Sequence, residues 1–123
     1  MRRRTTTNPV DYDKLCKQTV TVYHQEYEKF TRTVYHKAFL DYKKTQSVDQ
    51  TGSKEANSFL LVIPGSTQAA FVGDKVYDGT GPEITTQKEW AAFRPPAVSG
   101  LVVVSYADAK KWNGMIVHTE AGG

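Results

Sequence analysis

Three histidines, one cysteine and 13 Asp/Glu carboxylates are the residues of this chain suited to acid–base, nucleophilic or metal chemistry. His24, His36 and His118 would have to come from scattered strands to build a zinc site. No two of them stand four apart, and none has a cysteine or carboxylate at ligand spacing. Cys16 excludes an internal disulfide and lacks a local base to activate it. Gly73, Gly79 and Gly81 suggest a phosphate-binding loop, but that chemistry needs Gly-Lys-Ser/Thr opening a helix. Here Gly81 is followed by Pro82 and Glu83, and a carboxylate repels phosphate, so turn glycines are expected. Asp74 and Asp78 flank Lys75 in turn-like text and are expected to serve turn geometry. These residues therefore predict no catalytic residue, no metal and no cofactor.

Charge gives a second line of chemistry. Residues 1–54 carry +5 and residues 55–123 carry −2, so the chain's +3 is concentrated at its start. Arg2, Arg3 and Arg4 open the chain, and Lys43, Lys44 and Lys54 lie on a polar stretch. With Tyr23, Tyr35, Phe39 and Tyr42 nearby in sequence, they allow a single-stranded nucleic-acid-binding barrel, a basic groove with stacking aromatics. The same aromatics serve equally as sheet packing, and the basic residues as a solvated face.

The elements that position these residues are mostly strands. At 123 residues the chain is expected to form one domain burying roughly two-thirds of its unfolded surface. Residues 1–16 read as an extended arm, because three arginines repel one another and Pro9 blocks regular pairing. Gln18–His24 alternates, with Val20 and Val22 on one side and Thr19, Thr21 and Tyr23 on the other. Gln25–Lys29 reads as a hairpin connection. Phe30–Tyr42 is dense in β-branched and aromatic residues with broken parity, predicting a long strand that is bent or bulged. Residues 43–56 predict a long polar loop or, alternatively, the tip of a long hairpin.

Phe59–Ile63 is apolar on both parities and predicts a strand covered on both faces. Phe71–Tyr77 predicts a strand with a Gly73-Asp74 bend, and Thr86 with Glu89 matches a capping box opening a short helix. Trp90, Phe93 and Trp112 are expected in the core or against that helix. Leu101–Tyr106 and Met115–Glu120 predict two more strands, with Asp108–Gly114 as a turn and the last three residues frayed. The result is a mainly β fold: a small barrel or sandwich of about six strands with one short helix, residues 17–123 forming the domain. No apolar run approaches the ~20 residues of a membrane span, and no apolar segment follows the leading arginines to make a secretory signal. Cytoplasmic assembly and no membrane partner are the expectation.

From Tyr35 to Gly123 the text resembles small proteins from the structural operons of tailed phages and prophages of Gram-positive bacteria. SKEANSFLLVIP, VGDKVYDGTGPEIT with the EW that follows, and the WNG and EAGG of the ending carry the resemblance. Such proteins are taken to be virion parts of the head–tail neck, either head-closure (stopper) or tail-completion rings. The resemblance implies a ring of identical subunits around the DNA channel, assembled in the bacterial host cytoplasm. Its neighbours would be a portal or adaptor and a tail terminator, with non-specific contact to DNA. On that reading Lys43, Lys44 and Lys54 face the channel, and Arg2, Arg3 and Arg4 contact an adjacent ring. It carries over no catalytic residue. A nucleic-acid-binding barrel and, third, a small enzyme are the alternatives.

Overall fold

The computed structural model describes residues 11–49, 52–95 and 97–123, with the backbone alone for strand residues 42–49 and 52–58. Nine elements follow in order: α1 (Tyr12–Leu15), β1 (Gln18–Glu26), β2 (Lys29–Asp49), β3 (Gly52–Pro64), β4 (Lys75–Asp78), α2 (Gln87–Ala92), β5 (Leu101–Val103), β6 (Tyr106–Trp112) and β7 (Met115–Gly122). Neither described helix is long and apolar enough to cross a membrane.

The strands form one antiparallel sheet in the order β5-β4-β1-β2-β3-β7-β6. β5 runs straight into β6 through Val104 and Ser105, so the chain itself draws the two sheet edges together. Val104 N–H bonds the Asp74 carbonyl at 2.9 Å and Ser105 N–H bonds the Gly122 carbonyl at 2.7 Å, fixing that corner. The fold is thus a curled antiparallel half-barrel, mainly β as expected.

β2 is the hinge of the curl. Its pairing with β1 shifts between Gln18↔Ala38 and Val20↔Tyr35, which sets His36 and Lys37 against the single residue Thr19. An extra residue on one strand bends and twists it, which meets the expectation of a bent or bulged strand. Beyond the bend β2 leaves β1 and pairs with β3, from Phe39↔Val62 onward.

Two apolar layers flank the sheet. Inside the curl, Val20, Val22, Leu40, Leu61, Ile63, Val76 and Val102 form the main core. Outside it, Tyr23, Ile84, Phe93 and Leu101 form a second cluster, with Phe30, Tyr77, Trp90 and Val98 packed against it. Alternation along β1 is as expected, yet Val20, Thr21, Val22 and Tyr23 are all buried, because α2 and its flanking loops cover the face that sequence leaves open.

Six local expectations change. The Phe71–Tyr77 strand begins only at Lys75, because Phe71–Asp74 form the turn, and the Leu101–Tyr106 stretch breaks at the Val104–Ser105 corner into β5 and the start of β6. Residues 43–49 and 52–56 follow the hairpin alternative: their backbones pair from Lys43↔Ser58 to Asp49↔Gly52. The expected arm ends earlier, because residues 11–16 are docked. Asp11 caps α1 by accepting from Lys14 N–H at 3.3 Å, Tyr12 Oη meets His118 Nδ1 at 2.5 Å, and Asp13 pairs with Lys37. Asp108–Gly114 is a strand rather than a turn; only Asn113 and Gly114, at φ 53° and 77°, turn the chain between Trp112 and Met115. The positive φ at both positions is the Asn-Gly hairpin geometry. The last residues do not fray: Ala121 is fully buried and Gly122 is paired to both Leu60 and Tyr106.

Candidate functional site

The glycine-rich loop after β4 is fully occupied by the protein's own side chains. Thr21 Oγ1 donates to the Gly79 carbonyl at 2.7 Å and accepts from Gly81 N–H at 3.0 Å. Tyr23 Oη donates to the Pro82 carbonyl at 2.6 Å, and the Arg32 guanidinium donates twice to the Gly81 carbonyl at 3.0 and 2.6 Å. A Cβ at Gly81 would lie 3.2 Å from both Tyr23 Cζ and Tyr77 Cδ1, so close approach dictates the glycine. The loop is a structural clamp, as the turn reading expects.

That clamp sits beside α2, where two of the three expected packing residues are found. Thr86 Oγ1 accepts from Glu89 N–H at 3.1 Å, and the Glu89 carboxylate accepts from both Thr85 and Thr86 hydroxyls at 3.0 Å, forming the capping box. Phe93 is buried and meets Tyr23 edge-on at 4.8 Å between ring centroids. Trp90 is half-buried, tilted against Phe30 at 5.7 Å. Lys75 closes the helix from below: Nζ donates to the Trp90 carbonyl at 2.5 Å and the Phe93 carbonyl at 2.6 Å, and lies 4.4 Å from the Trp90 ring centroid. Burial, helped by the Arg94 charge, pulls the Lys75 ammonium below the usual lysine range.

Trp112 is the exception. It stands at the end of β6, 37% exposed and outside both apolar clusters. The expectation of core packing is corrected here to partial burial on the last residue of a strand. Trp112→Ala should cost clearly less than the ~3–5 kcal/mol of a fully buried tryptophan, because 37% of the residue is exposed, when followed by chemical denaturation.

One polar pair was not legible in sequence. Asp74, 2% exposed, accepts from Phe71 N–H at 2.9 Å, which is the expected turn role. Its other oxygen meets His24 Nδ1 at 2.5 Å, a contact across 50 positions that no local spacing announces. Burial pushes the Asp74 carboxyl above the usual range, partly offset by His24 and the Phe71 N–H. The second His24 nitrogen faces Glu26 at 3.9 Å. Asp74 therefore holds one side of the imidazole, and Glu26 faces the other. Cys16 is buried against the Val62 carbonyl, and burial raises its thiol pKa. Among the described residues no group of three or more His, Cys, Asp or Glu is placed to hold a metal ion.

The remaining candidate is a shape. β3 pairs with β7 only over Leu60–Pro64, and β2 pairs with β1 only as far as Ala38. Among the described residues, Lys43↔Ser58 to Asp49↔Gly52 therefore form a two-stranded ribbon seven pairs long. At ~3.4 Å per residue it extends about 23 Å past the sheet. Lys43, Lys44 and Lys54 lie along it, opposite Ser58, Asn57 and Ser47. Arg2, Arg3 and Arg4 lie outside the described residues.

No curated protein and no solved structure matches the chain. A family match covers residues 15–93, from the end of α1 through α2, leaving β5, β6 and β7 beyond it. With well over half its length matched, the chain belongs to DUF6751, a family of unknown function.

Proposed function

We propose that this protein is a structural subunit of a ring in the head–tail neck of a tailed phage or phage-like particle, with the β2–β3 ribbon as its assembly element. The observation that carries the reading is the ribbon. An isolated two-stranded hairpin is marginal in water, and among the described residues this one extends seven pairs with no third strand or layer to support it. Such an element gains its stability from a neighbour. The half-barrel behind it suits a rigid mount, with apolar layers inside and outside the sheet. The resemblance of residues 35–123 to neck proteins supplies the setting. In that setting Lys43, Lys44 and Lys54 run toward the DNA channel, where phosphate contacts are sequence-independent and weakened by salt. The arginines at the start of the chain reach an adjacent ring.

Cryo-EM reconstruction of the assembled particle's neck tests this. The expected result is a ring of half-barrels around the DNA axis, with ribbons directed to the lumen or to the next subunit. A neck lacking such density overturns the reading. Binding of single-stranded DNA by the isolated protein, tight and steeply weakened by salt, would favour a nucleic-acid-binding barrel instead.

A further inference from the structure

The β1–β2 hairpin turns on Tyr27 and Glu28, between the paired residues Glu26 and Lys29. Tyr27 sits at φ 56°, where a bulky L-residue is strained. Two-residue hairpin loops fill such positions with Gly, Asn or Asp, as the Asn113-Gly114 turn of this chain does. The strained residue is also 92% exposed, so its ring is held out into solvent. Gln25 braces the turn: Nε2 donates to the Tyr27 carbonyl at 3.4 Å and to Gln87 Oε1 of α2 at 2.6 Å. Strain that the surroundings hold in place gathers at ligand clamps.

Beside the ring lies a cleft of about 710 Å³, lined among the described residues by Glu26, Tyr27, Glu28, Lys29 and Thr31. All five are exposed, and two carboxylates against one ammonium leave this lining one charge negative. An aromatic face beside carboxylates suits a guanidinium, which stacks on the ring and meets a carboxylate with two N–H groups.

We propose that the β1–β2 tip binds the Arg2-Arg3-Arg4 segment of a second copy, with Tyr27 as stacking platform and Glu26 and Glu28 as acceptors. Charge and length point to that occupant. The chain itself carries three arginines in succession at its start. Asp13 is tied to Lys37, eight positions from Lys29 along β2, a path of up to ~26 Å. Nine positions separate Asp13 from Arg4, at most ~30 Å of chain. A copy's own arginines would need a nearly straight run to its own tip, whereas those of a second copy approach from any side. Tip and arginines are different surfaces, so the contact is head-to-tail. The proposal concerns the free protein and goes beyond the ring reading, which it does not need.

Sedimentation velocity of the full chain over a range of concentrations is the test. Tyr27→Gly, and separately Arg2→Ala, Arg3→Ala and Arg4→Ala combined, should each weaken self-association at least about tenfold. Tyr27→Gly should meanwhile keep or raise the melting temperature, because glycine accepts a positive φ without strain. An equimolar mixture of the two variants should form 1:1 pairs and nothing larger, since each supplies the half that the other lacks. Wild-type protein that stays monomeric at every concentration overturns the proposal. So do variants that associate like the wild type, or a mixture that stays apart. If the arginine changes shift the Tyr27 ring resonances in dilute monomer, the segment occupies its own tip and the second copy is the wrong occupant.

Discussion

Tyr23→Ala lowers the unfolding free energy by about 4 kcal/mol, a large share of the ~5–15 kcal/mol by which a domain is stable. The ring is 1% exposed on the outer face of β1 and makes the edge-on contact that seats Phe93. α2 has six residues, too few to hold itself as a helix, so its position depends on packing of this kind. Truncation leaves a cavity between β1 and α2 and also removes the donor that holds the Pro82 carbonyl. Tyr23→Phe separates the two effects. It keeps the ring and removes only the hydroxyl, which holds the Pro82 carbonyl and meets Arg32, at a cost of about 1–2 kcal/mol. Equilibrium denaturation of both variants gives the comparison. A loss below about 2 kcal/mol for alanine would mean that the outer layer does not depend on this ring.

Lys75→Met lowers stability by about 2–3 kcal/mol at neutral pH. The substitution keeps an apolar stem of similar reach but removes the charged donor to the Trp90 and Phe93 carbonyls; the Trp90 carbonyl keeps the Phe93 N–H at 3.2 Å, and the Phe93 carbonyl loses the ammonium. Release of a buried charge offsets part of that loss, which keeps the figure below the sum of two charged hydrogen bonds. The pH dependence has a definite sign. Burial lowers the folded-state pKa, so over the window just under the ordinary lysine value the unfolded chain binds more protons than the folded one. Wild-type stability therefore rises with pH across that window, and the methionine variant lacks this increment. Denaturation of both proteins through the alkaline range isolates it, because other titrating groups are common to the two. A constant difference between them would show that Lys75 is not desolvated.

Sequence periodicity reports which residues share a face, and here it identifies most of the strands. Val20 and Val22 against Thr21 and Tyr23, the both-sided apolarity of Phe59–Ile63, and the capping box from Thr86 to Glu89 all reappear in the fold. The broken parity of Phe30–Tyr42 corresponds to the bulge opposite Thr19. β6 was hidden because Asp108, Lys110 and Lys111 are poor strand formers; an edge strand tolerates them, since it has solvent on one side. The ribbon read equally as loop or hairpin, because its polar residues form no buried face to settle the choice.

The candidate site divides the same way. Lysines on a polar stretch and the absence of local catalytic spacing can be read directly. The His24–Asp74 pair, the Lys75 clamp and the exposure of Trp112 cannot, because each depends on which distant segment lies over a given face. The sequence by itself determined that this chain is a mainly β domain with a capped short helix, since alternation and capping are properties of adjacent residues. Only the tertiary structure decided where along β2 the bulge falls, that α2 seals the outer face, and that among the described residues the ribbon has no third strand. The sealing of the outer face depends on contacts such as that of Tyr23 with Phe93, 70 positions apart, and the free energy of such contacts leaves no local pattern in the chain.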